Sequence, residues 1–256
     1  MISLTITLTI FFYGLCVGSF LNVCIYRVPL SRSIVRPGSS CPSCASPIRW
    51  YDNIPVLSFL ILRGRCRNCR GQVSFRYPAI EMLTGCFALI ALFAFGLSIN
   101  ALVHFIFFSV LITLTFIDID HRIIPDVISL PGIPLFFLLS LAVPTVTWQE
   151  SALGILAGGG SLWLVAWLYE RVTGKAGMGG GDIKLLGMMG AFIGWQGVLF
   201  TIFFSSLTGS VIGLSIMLIQ KGNMKMAIPY GPFLAAGALT YTLCGSRLIG
   251  WYLGLL

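Results

Sequence analysis

The sequence predicts an all-α polytopic membrane protein with about eight transmembrane helices, one of them short, and a polar loop between the first two. Three observations predict this fold class. Hydrophobic residues make up 57% of the 256 residues and charged residues only 9%, and the mean hydropathy is +0.95. A soluble domain cannot hide that much apolar surface. The apolar residues also fall in long runs, each near the roughly 20 residues that a helix needs to cross a bilayer.

Six of these runs are separate, and one longer region contains two more helices. The separate runs cover residues 1–26, 78–97, 99–118, 127–145, 152–170 and 229–253. The longer region, 183–220, exceeds a single span, and the sequence GWQG at 194–197 indicates a turn within it. We therefore expect a short helix of about a dozen residues followed by a full span, which brings the total to about eight helices.

The first run is expected to be a retained transmembrane helix rather than a signal peptide. It has no Lys or Arg before Arg27, so the charged start of a signal peptide is missing, and its apolar stretch is too long for one. Residues 27–77 carry nine of the sixteen Lys and Arg residues and a single acid, Asp52. The positive-inside rule then places this segment in the cytoplasm and the N-terminus outside.

The chain is predicted to divide into a first transmembrane helix (1–26), the cytoplasmic loop (27–77) and a membrane core (78–256).

Later connections give an independent check of this orientation. Counting spans puts residues 118–122, 170–184 and 220–225 on the cytoplasmic side, and these segments carry six of the remaining seven basic residues. The connections on the opposite side are short and have no Lys or Arg. Membrane topology therefore accounts for the net charge of +8, and no nucleic-acid partner is expected.

Four of the eight cysteines form two CxxC pairs in the loop, CPSC at 41–44 and CRNC at 66–69, separated by 21 residues. This gap is slightly wider than usual for two zinc knuckles, but four thiolates suit a closed, tetrahedral structural zinc site. Two disulfides or four idle thiols are the alternatives, and a reducing cytoplasm disfavours disulfides. A loop this short cannot fold on a core alone, so zinc would supply the missing free energy. The predicted ligands are Cys41, Cys44, Cys66 and Cys69.

The other four cysteines lie within apolar runs, where we expect them to be small buried hydrophobic residues. They are Cys16, Cys24, Cys86 and Cys244. A nucleophilic cysteine needs a base nearby, and the histidines are His104, in an apolar span, and His121, beside several acids. A Cys and His dyad is therefore the less favoured interpretation.

Two groups of carboxylates lie where apolar runs end. Asp118, Asp120 and Asp126 occur in TFIDIDHRIIPDVISLPG, and Asp182 occurs in GMGGGDIK. Asp118 ends a span and Asp182 begins one, so we expect both at a similar depth on the cytoplasmic side. Two carboxylates at a partly desolvated site cannot both ionise easily, so one can act as a base while the other keeps a proton. Such a pair can activate water against a peptide carbonyl.

Helix capping is the alternative role for these acids, because a helix N-terminus favours a negative charge. We expect that role for Asp120 and Asp126. A cap at Asp182 would need at most one flexible residue, whereas four of the five residues before it are glycine. Glycines without side chains allow another backbone to approach closely, so they favour a site beside Asp182.

Taken together, these motifs resemble those of the bacterial type IV prepilin peptidases. These are membrane aspartyl proteases of the GxGD class, which also process type II secretion pseudopilins. The resemblance runs nearly end to end and includes GSFLNVCIYRVP (18–29), CPSCASPIRWYDNIPVLS (41–58), RGRCRNCRGQVSFRYPAIEML (63–83), IDIDHRIIPD (117–126), GMGGGDIKLLG (177–187) and IPYGPFLA (228–235).

The resemblance implies that Asp118 and Asp182 are the catalytic aspartates. In the family, the first aspartate precedes a six-residue interval and a proline, which Asp118 and Pro125 match; Asp120 does not fit that spacing and ranks second. The second aspartate ends the GxGD motif, which places it at Asp182. The four loop cysteines look like the zinc-binding loop of the longer family members.

Those longer members are bifunctional, and the resemblance implies both activities here. They remove a basic leader after a glycine at the cytoplasmic face of the inner membrane. They then methylate the new N-terminal amine, commonly of phenylalanine, with S-adenosylmethionine as methyl donor. The implied partners are prepilin or pseudopilin substrates within membrane lipid.

The methyl-donor site is not assigned, because no GxGxxG fingerprint of the soluble type is present. By family pattern, Arg76 and Glu81 of RYPAIE participate in methyl transfer; an interfacial anchor and an ion-pair partner are their alternative roles. Two other classes of function stay open. One is a proton-coupled transporter with Asp118 and Asp182 as a relay, and the other is a membrane scaffold whose zinc loop recruits a partner.

Overall fold

The computed structural model of the protein describes residues 3–143, 146–174, 179–219, 229–252 and 254, apart from the side chain of Ser246. Within these residues the chain is helical and has no β-strand, only two isolated β-bridges in the loop. It divides into two compact units, Met1–Thr113 and Leu114–Leu256, and each is described by itself.

Eight α-helices are formed: α1 (Leu4–Arg27), α2 (Leu57–Ile61), α3 (Arg76–Phe95), α4 (Ile99–His121), α5 (Asp126–Ser140), α6 (Trp148–Thr173), α7 (Gly180–Ile219) and α8 (Gly231–Tyr252). Five of those described, α1, α3, α4, α6 and α7, are long and apolar enough to cross a membrane. The all-α polytopic fold class predicted from the sequence is confirmed.

The long helix α7 is two helices joined at a glycine. Gly194 has φ 71° and ψ 176°, a conformation that residues with a side chain rarely adopt. The bend separates residues 180–193 from residues 195–219, so the short helix and full span predicted around GWQG are confirmed. With α7 counted as two and the short loop helix α2 left out, the described part of the chain has eight helices.

The helix α5 is shorter than the apolar run at 127–145 predicted. It has 15 residues and ends at Ser140, so it is about 22 Å long at 1.5 Å per residue, less than the roughly 30 Å of a hydrocarbon core. Pro131 and Pro134 lie inside it, and neither has an N–H group to donate to the preceding turn. Residues 144 and 145 of the predicted run lie outside the described residues.

In the first unit, small residues let α1 and α3 pack closely. A Cβ atom added to Gly14 would lie 2.7 Å from the Cβ of Ala88, and one added to Gly18 would lie 2.7 Å from the Cα of Glu81. Close backbone approach of this kind is typical of helix pairs in membranes. The side chain of Asn22 adds a polar contact, because its Nδ2 donates to the carbonyl oxygen of Tyr77 at 3.1 Å.

In the second unit, α7 lies at the centre and α5, α6 and α8 each pack against it. Gly154 of α6 faces Gly190 of α7, and any Cβ at either position would collide with the carbonyl group of the other. Ser151 donates to the carbonyl oxygen of Ala191 at 2.5 Å beside this contact. Gly190 therefore allows close packing of α6 on α7, whereas Gly194 forms the bend.

Candidate active site and metal centre

Asp118 lies in the last turn of α4 and is almost fully enclosed, with 5% of its surface exposed. Its Oδ2 accepts a hydrogen bond of 2.9 Å from the backbone N–H of Gly231, the first residue of α8. A carboxylate buried at the end of a membrane helix is a candidate functional group, because burying an ionisable group there is costly.

Asp182 lies in the first turn of α7 and is half-buried. It is close enough to Asp118 for the charge of that carboxylate to act on it. The structure therefore brings together the two aspartates predicted from the sequence, where the end of α4 meets the starts of α7 and α8. Both helix starts direct the positive ends of their dipoles to this place, which favours bound negative charge.

Asp120 is oriented differently from Asp118, although only one residue separates them. It is exposed, whereas Asp118 is buried. Residues two apart on a helix do not share a face, so only one of this pair can face the other helices. Asp120 lies at the C-terminal end of α4 and not at a helix start, so the capping role expected for it is not observed.

The glycines before Asp182 have two different environments. A Cβ added to Gly181 would lie 3.0 Å from the Cβ of Ile124, so this glycine lets the start of α7 pack tightly on the segment between α4 and α5. Among the described residues, nothing lies within 4 Å of a Cβ added to Gly179 or Gly180. Gly177 lies outside the described residues.

An ion pair connects the two aspartate-bearing segments. Lys184, two residues after Asp182, donates from its Nζ to both carboxylate oxygens of Asp126 at 2.8 Å. Asp126 is the first residue of α5. Its predicted place at a helix start is therefore observed, and the pairing with Lys184 is an addition that the sequence analysis missed.

The four loop cysteines form the second cluster of interest, and they lie in two knuckles with the same backbone pattern. In the first, the N–H of Cys41 donates to the Ser46 carbonyl at 2.9 Å, and that of Ala45 to the Cys41 carbonyl. In the second, Cys66 donates to the Gly71 carbonyl at 2.8 Å and Arg70 to the Cys66 carbonyl. Each knuckle is closed by an antiparallel bridge. The loop is thus an internal repeat that the sequence analysis did not detect.

The geometry of the thiols fits a metal ion better than disulfides. All four Sγ atoms lie within 4.8 Å of one another, and those of Cys41 and Cys69 are 3.8 Å apart. A disulfide would need about 2.05 Å, and none of the cysteines is bonded in this way. Ligands at about 2.3 Å around a tetrahedral zinc ion are separated by roughly 3.8 Å. Cys41, Cys44, Cys66 and Cys69 can therefore hold such an ion.

Hydrogen bonds within the knuckles favour the metal-binding thiolate form at Cys44 and Cys66. At Cys69 a backbone hydrogen bond from Gly71 lowers the pKa, but hydrogen bonds with the neighbouring thiols and burial raise it to about 11. The hydroxyl of Ser46, 2.9 Å from the Cys44 sulfur, and the Ser46 backbone together lower the pKa of the Cys44 thiol to about 6. The backbone N–H groups of Cys69 and Asn68 lower the pKa of Cys66. Thiolates are the ligands that zinc requires.

Asp52, the single acidic residue of the loop, connects the rest of the loop to the second knuckle. Asp52 accepts hydrogen bonds from Nε of Arg67 at 2.9 and 3.0 Å and from its terminal nitrogen at 2.6 Å. These hydrogen bonds hold the pKa of Asp52 below its usual value. The paired residues connect the 3₁₀ turn Trp50–Asp52 with the CRNC motif.

Glu81 and Arg76 lie on α3, in the first unit. Glu81 is 8% exposed, and its carboxylate accepts a hydrogen bond of 2.7 Å from the N–H of Val56. Val56 precedes α2 with φ 59°, a rare conformation for a β-branched residue. The observed contact of Glu81 is therefore structural, because it holds the short loop helix against α3. Arg76 is partly exposed in the first turn of the same helix.

The prediction that the other four cysteines are buried is wrong. Cys16, Cys86 and Cys244 are exposed, and Cys24 is partly exposed. A membrane helix can direct apolar side chains to lipid, so an apolar run does not by itself imply burial within the protein. His104 is buried and stacks on Phe95, with ring centroids 3.8 Å apart, as expected of a core histidine.

Comparison with known proteins was made against family models, individual sequences and solved structures. Residues 12–95 match the Bacterial Peptidase A24 N-terminal domain, and residues 105–214 match the Type IV leader peptidase family. The second match contains both aspartates. No solved structure matches the chain.

Several relatives are similar over nearly their whole length, and each is named prepilin leader peptidase/N-methyltransferase. The protein of Neisseria gonorrhoeae is 39% identical over 267 residues, covering 94% of this chain and 92% of the relative. That of Pseudomonas putida is 37% identical, covering 92% and 89%. That of Aeromonas salmonicida is 35% identical, covering 95% and 92%.

Proposed function

Because the chain belongs to the type IV leader peptidase family, we propose that it removes the leader peptide from type IV prepilins and methylates the new N-terminus. It is an enzyme, a prepilin peptidase with N-methyltransferase activity. The observation that carries the peptidase assignment is the juxtaposition of Asp118 and Asp182 at the meeting point of three helix ends.

Cleavage proceeds by activation of water between the two carboxylates. Two neighbouring carboxylates at a partly desolvated site do not both ionise easily, so one keeps a proton while the other is ionised. The ionised group takes a proton from water as the water oxygen bonds to the scissile carbonyl carbon, and the protonated group donates to the carbonyl oxygen. The C–N bond then breaks and the leaving amine takes up a proton. Neither a metal ion nor a covalent intermediate is needed.

The position of the site suits a substrate with a basic leader and an apolar helix. Asp118 ends a membrane helix and Asp182 begins one, so the scissile bond is held at the membrane boundary, on the cytoplasmic side by the positive-inside rule. Helical peptide bonds are shielded, so the cleavage segment must be extended. The space that the described residues leave at Gly179 and Gly180 gives an extended backbone room beside Asp182.

The zinc ion proposed for the loop is structural. Four cysteines complete its tetrahedral shell and leave no position for a substrate, which distinguishes structural from catalytic zinc. Its role is to stabilise the two knuckles, since a loop this short cannot fold on a core alone.

S-adenosylmethionine would supply the methyl group that methyl transfer adds to the new N-terminal amine. We assign no residue to binding the methyl donor. The cavity of about 510 Å³ between α2 and α3 is lined by apolar side chains, among them Phe59, Phe75 and Met82. It offers no partners for the carboxylate and hydroxyl groups of the donor.

The ion pair between Lys184 and Asp126 is expected to help position Asp182. Both side chains are partly exposed, so the pair contributes at most about 1 kcal/mol, equivalent to about fivefold in rate. Lys184→Met and Asp126→Asn should each lower the cleavage rate by up to about that factor. The double variant should be no slower than either single one, since both remove the same interaction. Effects that multiply in the double variant would contradict a shared role.

The experiment that tests the function uses the purified full chain in lipid nanodiscs. A prepilin with its leader and methyl-labelled S-adenosylmethionine are added, and mass spectrometry follows leader loss and labelling of the new N-terminus. We expect both. Flux of protons through proteoliposomes without any cleavage would instead support the transporter, and absence of both activities would support the scaffold.

A further inference from the structure

The start of α8 makes a contact with Asp118 that the two-aspartate mechanism does not require. The N–H of Gly231 donates to Oδ2 of Asp118 at 2.9 Å, and the bond is buried. The two residues are far apart in the sequence, and the contact places the first residue of α8 directly against an aspartate.

Gly231 offers a backbone donor at the start of α8. The N–H of Phe233 donates to the carbonyl oxygen of Tyr230 at 3.0 Å, and Pro232 has no N–H. The N–H of Gly231 is one of those that a helix start leaves without an internal partner, and it donates to Asp118.

The donor is held in place by the residue before it. The hydroxyl of Tyr230 is hydrogen-bonded to the hydroxyl of Ser205 on α7, at 2.8 Å. Ser205 is itself buried. The start of α8 is therefore fastened to α7, the helix that also carries Asp182.

The position requires glycine because of the space it leaves for the carboxylate. A Cβ added to Gly231 would lie 2.7 Å from Oδ2 of Asp118 and 3.2 Å from its Cγ. Cβ atoms essentially never lie closer than 3.0 Å to another heavy atom, so a side chain here would displace the carboxylate. Displacements of about 1 Å can cost about 100-fold in catalytic rate.

We propose that Gly231 is a positioning residue of the peptidase site, which fixes the orientation of Asp118 through its backbone N–H and through the absence of a side chain. The N–H is a donor directed at Oδ2 of Asp118, so it stabilises negative charge on that oxygen. The inference rests on the proposed function and adds the start of α8 to the site.

The test compares Gly231→Ala with Gly209→Ala. Gly209, on α7, is the matched control because its added Cβ would be 3.8 Å from the Phe233 ring, an ordinary contact. For Gly231→Ala we expect kcat for leader cleavage to fall about 100-fold with KM within about twofold. Methyl transfer to a pre-cleaved pilin should be unchanged, which shows that the protein is folded. Gly209→Ala should match the wild type in both activities.

The outcomes separate the inference from the proposed function. A wild-type protein that does not cleave prepilin overturns the proposed function, and the inference with it. Cleavage by Gly231→Ala at the wild-type kcat overturns the inference alone. If Gly231→Ala loses both activities, a second variant, Tyr230→Phe, decides the question. This variant removes the hydrogen bond to Ser205 but keeps the aromatic ring. A fall in its kcat for leader cleavage of about tenfold, with KM and methyl transfer unchanged, supports the inference. An unchanged kcat in Tyr230→Phe overturns it.

Discussion

Asp118→Asn and Asp182→Asn are each expected to lower the rate of leader cleavage by at least about 10³-fold. Asparagine has nearly the same shape as aspartate, but it can neither take a proton from water nor donate the acidic proton of the pair. Asp118 is enclosed and accepts from Gly231, so no solvent group can replace it. The rate is measured under single-turnover conditions in nanodiscs with a prepilin substrate.

Asp120→Asn is the matched control for this pair of changes. Asp120 is exposed near the end of the same helix, so its variant should cleave at close to the wild-type rate. Methyl transfer to a pre-cleaved pilin should survive in all three variants and shows that each is folded. Wild-type cleavage by Asp118→Asn together with an inactive Asp120→Asn would move the catalytic role to Asp120.

Cys66→Ser is expected to remove zinc from the protein. The wild type should contain one zinc ion per chain, because the four thiols of the loop form one cluster. A serine hydroxyl is a much weaker zinc ligand than a thiolate, and binding of structural zinc by small domains is worth about 10–16 kcal/mol, so the loop should lose its fold with the ion. Metal analysis reports the zinc, and limited trypsin digestion reports the loop, which is rich in arginine.

Cys86→Ser is the control for loss of a thiol. Cys86 is an exposed residue of α3 outside the cluster, so this variant should keep its zinc and its resistance to trypsin. Wild-type protein without zinc, or Cys66→Ser with a full complement of it, would contradict the metal centre.

Much of the fold could be predicted because membrane helices are local features of a sequence. The start and end of α3, α4 and α6 follow runs of apolar residues, and the bend at Gly194 follows a recognisable turn sequence. The end of α5 was predicted less well, because the run was counted by hydropathy alone while Pro131 and Pro134 weaken the helix within it. The exposure of Cys16 and Cys86 was not predicted, because the hydropathy of a residue does not show whether its side chain packs on another helix or faces lipid.

The site could be predicted only where its residues belong to recognisable motifs. Asp118, Asp182 and the four loop cysteines each have a characteristic local spacing, and the structure brings each set together. Their catalytic and metal-binding roles stay predictions. Gly231 and Lys184 were missed, since their partners lie far away in the sequence and local patterns cannot report such contacts.

The mechanism is tested most directly by a structure of the chain bound to a prepilin peptide whose scissile bond is replaced by a hydroxyethylene group. This group mimics the tetrahedral state formed when water adds to the carbonyl. We expect its hydroxyl to lie within hydrogen-bond distance, about 2.6–3.2 Å, of carboxylate oxygens from both Asp118 and Asp182. A hydroxyl held by only one of them, or by neither, would contradict catalysis by the pair.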